Sequence, residues 1–251
     1  MNVRNVVRRV KSVLHPANSE IGRFVYNDID TADLAFIRRF DGYTMTSIER
    51  RFHLLSAVRY LVRHQIPGAI VECGVWRGGS MMLVANTLLN LGVCDRELHL
   101  FDTYAGMPPP ASLDVDFAGR RARERMQADA ETQRESMVWA IASLHDVTKN
   151  MVDTGYPASL LHYVEGMVEE TLPKAAPERI ALLRLDTDWY ESTRHELINL
   201  YPRLVRGGVL IIDDYGYWKG ARKAVDEFLA VLPESVLLHR IDDTGRAAVK
   251  P

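Results

Sequence analysis

Four aspartates follow two apolar runs in the second half of the chain. Asp186 and Asp188 come after the first run, and Asp213 and Asp214 come after the second. Short leucine-rich and β-branched runs bounded by glycine or polar turns are typical of buried parallel strands. Because ligands bind outside the carboxyl ends of such strands, we expect the four carboxylates at one crevice. Unpaired, they would repel one another and resist ionisation, and a hard divalent cation with oxygen ligands removes that problem.

Each of these aspartates has a simpler explanation when it is taken alone. An aspartate after a strand is usually a turn residue or the N-cap of the next helix. Asp188 precedes a helix that we expect to begin near Glu191, and Asp214 is able to lead a turn. The combination of Asp186, Asp213 and Asp214 nevertheless favours a metal site.

The elements that must position the aspartates alternate between strands and helices. After the fifth strand and its helix, residues 235–241 and 246–249 predict an antiparallel hairpin across the turn at 242–245. The predicted class is therefore α/β, Rossmann-like, with a seven-stranded, mainly parallel sheet and a C-terminal antiparallel hairpin. This is the layout of class I S-adenosylmethionine-dependent methyltransferases, an analogy of fold that does not fix function. The apolar runs that predict the five parallel strands are residues 69–75, 97–103, 160–166, 180–185 and 207–212.

We expect residues 1–251 to form a single methyltransferase domain with two elaborations. The first is a helical extension over residues 1–68, in which Thr46 and Glu49 have the spacing of a capping box. At its start, basic residues alternate with valines and predict a short amphipathic helix or an arm: Arg4, Arg8, Arg9 and Lys11.

The second elaboration is a lid-like insertion over residues 107–135. Three consecutive prolines at 108–110 exclude a helix or a central strand there. The stretch 114–130 is dense in arginine and acids and predicts an exposed helix, and a further helix is expected over 138–147. Such a long insertion suggests a substrate-covering segment, although a solvated helical face explains the same composition.

Composition limits the partners. A chain of 251 residues with 47% hydrophobic content supports an α/β domain with a full core. The net charge of −2 gives no electrostatic case for nucleic acid or an anionic membrane. There is no apolar run of membrane-spanning length and no signal-peptide core. Cys73 and Cys94 are expected to be buried reduced thiols, so a cytoplasmic protein is predicted.

A glycine loop follows the first predicted strand. Its glycines at 74, 78 and 79 do not have the G-x-G-x-x-G spacing of a dinucleotide site, which disfavours a nicotinamide oxidoreductase. Glu72 would repel a phosphate at this place, whereas it is able to pair with the cationic end of S-adenosylmethionine. Asp102 ends the second strand, where an acid binds a ribose hydroxyl. A tight turn that needs glycine for backbone reasons is the alternative.

The chain resembles the macrocin O-methyltransferase (TylF)-like family, whose members are S-adenosylmethionine- and Mg²⁺-dependent and methylate sugars in antibiotics and other bacterial glycosides. The resemblance implies both cofactors and a small-molecule glycoside acceptor, without nucleic acid or membrane partners, and we also expect a homo-oligomer. The matching segments are residues 43–45, 72–80, 101–108, 171–173, 185–193 and 207–216.

The resemblance also implies roles for individual residues. Asp186, Asp213 and Asp214 match the metal ligands, and Asp188 matches the catalytic base. Catechol-type O-methyltransferases carry a lysine three places after the first metal aspartate, where this chain has Trp189. That difference favours Asp188, with His195 as an outside alternative. The positions implied to line the cofactor are Thr44, Met45, Glu72, Gly74, Ser80, Asp102, Thr103, Glu165, Gly166 and Asp186.

The leading hypothesis is thus a metal-dependent O-methyltransferase that acts on a sugar hydroxyl of a glycosylated natural product. The same chemistry on a catechol or another non-sugar diol is the enzymatic alternative. A catalytically inactive binding subunit with a methyltransferase fold is the alternative of another class, and the presence of all four aspartates argues against it.

Overall fold

A computed structural model describes residues 26–133 and 136–251. The strands of this part of the chain are β1 (Ala69–Cys73), β2 (Leu98–Asp102), β3 (Leu161–Glu165), β4 (Ile180–Leu185), β5 (Leu204–Ile212), β6 (His239–Arg240) and β7 (Arg246–Val249). They form one sheet in the order β3-β2-β1-β4-β5-β7-β6. Strands β1 to β5 pair in parallel, and β7 pairs antiparallel with both β5 and β6. The predicted fold class and terminal hairpin are confirmed.

Helices cover both faces of the sheet. The helices of the described residues are α1 (Thr31–Arg38), α2 (Ile48–Arg63), α3 (Gly79–Asn90), α4 (Ala122–Ala128), α5 (Leu144–Val152), α6 (Val168–Thr171), α7 (Tyr190–Leu200) and α8 (Lys219–Ala230). Helices α1, α2, α3 and α5 bury apolar side chains against one face, and α6, α7 and α8 against the other. Strands β1 and β4 are buried along their whole length, as expected for the centre of a sheet covered on both sides.

Two helix starts differ from the predictions. Helix α2 is capped by Ser47, whose hydroxyl accepts from the Arg50 N–H at 3.1 Å, so the predicted capping box at Thr46 is wrong. The Thr46 hydroxyl lies instead 3.0 Å from that of Thr44. The helix predicted over 138–147 begins only at residue 144, because the Ser143 hydroxyl accepts from the Asp146 N–H and caps it there.

The insertion contains less helix than expected. Residues 114–121 precede α4 and form a turn around Asp114 and Asp116, which are 1% and 0% exposed. The Asp116 carboxylate accepts from the backbone N–H groups of Ala118 and Arg120. The prediction of an exposed helix over 114–130 is therefore wrong for its first half, because aspartate side chains that bind nearby N–H groups favour turns over helix.

Three other expectations concern the periphery. The predicted basic arm at residues 4–11 lies outside the described residues, and the described part of the 1–68 extension holds α1 and α2. Cys73 is buried and Cys94 is exposed, and both are free thiols, so the prediction of a buried Cys94 is wrong. Across residues 26–133 and 136–251, no helix has both the length and the apolarity that crossing a membrane requires.

Candidate active site

A cleft of about 330 Å³ opens at the carboxyl ends of β1, β2, β4 and β5. This is the edge at which open α/β sheets bind ligands. Both ends of the cleft are built from predicted segments, namely the glycine loop and the turns that carry the aspartates. Eight of the ten predicted cofactor residues line it: Thr44, Met45, Gly74, Ser80, Asp102, Thr103, Gly166 and Asp186.

Gly74 joins the cofactor half of the cleft to the aspartate half. Its φ is +81°, and a Cβ at this position would lie 1.9 Å from the backbone oxygen of Asp186. The Asp186 N–H in turn donates to the Cys73 carbonyl at 2.9 Å. The turns after β1 and β4 are thus in direct backbone contact, and only glycine fits between them.

Asp102 holds the glycine loop in shape. Its Oδ2 accepts from the N–H groups of Val75 and Trp76 at 2.6 and 3.0 Å, and its Oδ1 accepts from the Tyr104 N–H at 2.8 Å. Burial raises the pKa of this carboxyl, against the effect of the three N–H donors. Asp102 also lines the cleft, so it both shapes the loop and stands beside the predicted cofactor.

Two predicted cofactor residues do not line the cleft. Glu72 is 1% exposed and Arg184 donates to its Oε1, so its role in cofactor binding stays a prediction. Burial raises the pKa of Glu72 although the guanidinium is adjacent. Glu165 ends β3 with its side chain exposed outside the cleft, whereas the following Gly166 lines it.

Three of the four aspartates lie together at the other end of the cleft. Asp186, Asp188 and Asp214 each offer a carboxylate oxygen within 4.8 Å of the other two. On an extended strand, Asp186 and Asp188 would point the same way because alternate side chains share a face. The strand ends at Leu185, however, and Asp188 has a left-handed φ of +66°. A turn therefore brings the two carboxylates together, in a conformation that aspartate tolerates better than most residues.

Asp213 is placed differently from the other three. Arg184 donates to its Oδ1 at 2.6 Å, and Arg50 donates to its Oδ2. Asp213 lines the cleft but is not part of the three-carboxylate group. Both of its oxygens have cationic partners, so its predicted role as a metal ligand stays a prediction and requires Arg50 to release one oxygen.

The charge balance of the site favours a cation. Six carboxyl groups lie in the site that holds Arg184 and Arg50: Glu72, Asp186, Asp188, Asp213, Asp214 and Asp242. Burial, with a contribution from the neighbouring carboxylates, raises the pKa of Asp186 to about 6 and that of Asp188 to about 7. The pKa of Asp214 is raised for the same reasons, and its Oδ2 is buried without a hydrogen-bond partner. Oxygen donors with excess negative charge and an unsatisfied buried atom fit a hard divalent cation.

Two arginines of the site were not predicted. Arg184 is a single charged residue inside an apolar strand and is 4% exposed, a signal that the sequence did contain. Arg50 carries no such signal, because its partners Asp213 and Asp242 are distant along the chain. The Asp242 carboxylate also accepts from the Ser47 hydroxyl at 2.6 Å. The turn of the terminal hairpin thus holds the start of α2 against the aspartates.

The insertion forms the wall beside the aspartates. The Asp114 carboxylate accepts from the N–H of Tyr190 at 2.9 Å, and Trp189 donates its indole N–H to the Pro108 carbonyl at 3.0 Å. The ring of Trp189 packs edge-on against Trp218. Six residues of this wall line the cleft, three in the insertion and three directly after it: Met107, Pro108, Arg125, Met137, Val138 and Ala140. His195, the alternative base, does not line the cleft.

Comparison with known proteins agrees with this geometry. The profile of the macrocin-O-methyltransferase (TylF) family matches residues 28–248. The chain is 32% identical over 205 residues to a demethyldecarbamoylnovobiocin O-methyltransferase of Streptomyces niveus. This match covers 82% of this chain and 74% of the relative. The solved structure of the O-methyltransferase NovP has a TM-score of 0.70 and 32% identity, and the match covers 83% of this chain and 82% of that one.

A further relative matches almost the whole chain. It is an 8-demethyl-8-(2,3-dimethoxy-alpha-L-rhamnosyl)-tetracenomycin-C 4'-O-methyltransferase of Streptomyces olivaceus. The two chains are 32% identical over 244 residues, which is 96% of this chain and 89% of the relative. The resemblance drawn from the sequence motifs is confirmed.

Proposed function

The chain belongs to the TylF family of S-adenosylmethionine-dependent macrocin O-methyltransferases, and we propose that its acceptor is a sugar hydroxyl of a glycosylated small molecule. Two observations support a glycoside. One relative carries a rhamnosyl group in the name of its acceptor. The wall of the cleft beside the aspartates also combines apolar side chains with Arg125 and the aromatic rings of Tyr217 and Trp218, and aromatic rings with a polar edge suit sugar binding.

The proposal further includes Mg²⁺, and the observation that carries it is the group of three carboxylates within 4.8 Å of one another. We propose that Asp186 and Asp214 hold the ion together with Asp213. A bound divalent ion orients adjacent hydroxyls and lowers the pKa of the one that reacts. Asp213 takes part when Arg50 releases its Oδ2, and Asp242 remains as the partner of that guanidinium.

Asp188 is proposed to accept the proton of the acceptor hydroxyl at a carboxylate oxygen. As the proton leaves, the hydroxyl oxygen forms a bond to the methyl carbon while the bond from that carbon to the sulfonium sulfur breaks. The products are the methyl ether and S-adenosylhomocysteine. Alignment of oxygen, carbon and sulfur supplies much of the rate, and the contact between the turns after β1 and β4 at Gly74 sets the spacing of the two halves.

One competing assignment has a specific observation in its favour. Asp188 already lies in the group with Asp186 and Asp214, so it could serve as the third ligand while Asp213 only anchors the two arginines. The two assignments predict opposite results for Asp188→Asn: added Mg²⁺ restores its activity if Asp188 is a ligand and does not restore it if Asp188 is the base.

Calorimetry tests the cofactors directly. S-adenosylmethionine is titrated into the full chain with Mg²⁺ or with EDTA, and Mg²⁺ is titrated separately into the wild type and into Asp214→Asn. We expect S-adenosylmethionine to bind the wild type and Mg²⁺ binding to be weakened in the variant. Equal Mg²⁺ binding by both proteins would contradict the proposed metal site, but it would not contradict the assignment of the chain as a methyltransferase.

Two expectations about the whole protein remain predictions. A homo-oligomer is expected, and light scattering coupled to size-exclusion chromatography measures the mass. A cytoplasmic location is also expected, and fractionation of the producing cells tests it.

A further inference from the structure

A second group of ligand-type side chains lies far from the aspartates. Glu97 precedes β2, His99 lies within β2, and His162 lies within β3. Each of the three offers one ligand atom within 4.8 Å of the other two. His99 is three residues before Asp102, or about 10 Å along an extended strand, so this group stands well back from the cleft.

Backbone pairing fixes the two histidines side by side. β2 and β3 are parallel neighbours, and His99 and His162 are register partners. Their rings stack with centroids 4.4 Å apart and an interplanar angle of 22°. The pairing of the strands therefore supplies the proximity of the two imidazoles, and the rings have to rotate out of the stack for both nitrogens to point at one ion.

Glu97 faces both rings with one carboxylate. Its Oε2 lies 3.2 Å from His99 Nε2, and its Oε1 lies 3.8 Å from His162 Nε2. The His162 Nε2 atom is buried and has no hydrogen-bond partner. His99 and Glu97 already hydrogen-bond to each other, so a cation between the rings and the carboxylate would replace that bond and give the His162 nitrogen a partner.

We propose that Glu97, His99 and His162 bind a transition-metal ion of the Zn²⁺ type, which joins the edge strand β3 to β2. Imidazole nitrogen suits Zn²⁺, Ni²⁺ and Cu²⁺, whereas Mg²⁺ prefers oxygen ligands throughout. The site thus differs in chemistry from the carboxylate group at the cleft. Two imidazoles and one carboxylate leave a fourth position for water in a tetrahedral arrangement.

Burial and exposure of the three residues agree with this role. His99 is 7% exposed, and burial lowers its pKa, which favours the neutral ring that binds metals. The side chains of Glu97 and His162 are 51% and 38% exposed, which leaves an entry path from solvent. The competing arrangement is the hydrogen bond between His99 and Glu97 without an ion.

The experiment measures the unfolding temperature of the full chain in saturating Mg²⁺ while ZnCl₂ is added. Because a ligand that binds only the folded state stabilises it, Zn²⁺ at about a hundred times its dissociation constant should raise the unfolding temperature by roughly 5–10 °C. His162→Ala should abolish this rise. His145→Ala removes an exposed histidine on α5 and should retain it. Asp214→Asn should also retain it, which separates this site from the cleft.

Cobalt provides a second readout that does not depend on a variant. Co²⁺ added to the wild type should give the visible absorption of a nitrogen-bound ion, and Zn²⁺ should displace it. The proposal is overturned if Zn²⁺ produces no thermal shift and Co²⁺ no visible band. It is equally overturned if folded His162→Ala responds to Zn²⁺ as the wild type does, because the metal then binds elsewhere.

Discussion

Replacing Asp188 with asparagine separates proton transfer from metal binding. The substitution keeps the shape of the side chain and removes its charge and basicity. Loss of a general base lowers turnover by about a hundred-fold or more, which corresponds to a barrier higher by roughly 2.7 kcal/mol. Asp188→Asn is therefore expected to fold, to bind S-adenosylmethionine and to transfer the methyl group very slowly.

The distances in the carboxylate group set the expected effect on Mg²⁺. Asp188 is not one of the proposed ligands, although its carboxylate lies within 4.8 Å of those of Asp186 and Asp214. Its charge raises the pKa of Asp214 and so opposes the ionisation that Mg²⁺ binding requires. Removing that charge takes away an attraction for the ion but eases the ionisation of its ligands, and because the two effects oppose one another the Mg²⁺ affinity should stay within roughly three-fold.

The assay is the initial rate of methyl transfer as a function of Mg²⁺ concentration. Asp186→Asn and Asp213→Asn should raise the Mg²⁺ requirement by about ten-fold or more, since each removes a charged contact to the ion, and excess Mg²⁺ should restore part of their activity. Asp243→Asn changes a carboxylate that is 96% exposed and serves as the control. Rescue of Asp188→Asn by added Mg²⁺ would show that Asp188 is a ligand and refute its assignment as the base.

Three further predictions address pH, the glycine loop and the insertion. The pKa of Asp186 is raised to about 6 and that of Asp188 to about 7 from 3.8, so between these values the folded state holds protons that the unfolded chain has released. The unfolding temperature without metal should therefore fall as the pH rises from about 4 to about 7, and Mg²⁺ should remove the fall. A flat profile without Mg²⁺ would contradict this. Asp102→Ala removes the acceptor of three N–H groups and should weaken S-adenosylmethionine binding by about ten-fold or more in calorimetry. Unchanged affinity in a folded variant would refute the role of the glycine loop in cofactor binding. Asp114→Ala removes the hydrogen bond that holds the insertion to Tyr190. The variant should be cleaved faster within the insertion in limited proteolysis, and its KM for the acceptor should rise while its cofactor affinity stays unchanged. Cleavage at the wild-type rate would contradict the role of Asp114 in holding the insertion.

The mainly parallel sheet with its terminal hairpin and the edge that carries the site were predictable from the sequence. Central strands buried on both faces are nearly continuous apolar runs, and β1 and β4 have that pattern. Asp186 follows the apolar run of β4 directly, and Asp214 is the second residue after that of β5. Because ligands bind outside the carboxyl ends of such strands, the two aspartates were expected at one crevice. Apolar runs thus predicted the strands, and the residues that directly follow those runs predicted where the cleft lies.

The partners of the charged groups were not predictable in the same way. Arg50 meets Asp213 and Asp242 only because the sheet and the hairpin bring together segments more than 160 residues apart. The left-handed φ of Asp188 and the turn at Asp116, whose carboxylate accepts from the nearby N–H groups of Ala118 and Arg120, follow no hydrophobic period that would predict them. Composition made the insertion look like a solvated helix, whereas Asp114 and Asp116 are buried and accept from backbone N–H groups.

The central claim is tested most directly by methyl transfer to a panel of glycosides and their matched aglycones. The full chain is incubated with S-adenosylmethionine and Mg²⁺, or with EDTA, and the products are mapped by mass spectrometry and NMR. We expect a methyl ether on a sugar hydroxyl, with little product when EDTA is present. Methylation of the aglycones at a comparable rate, or full activity in EDTA, would contradict the account.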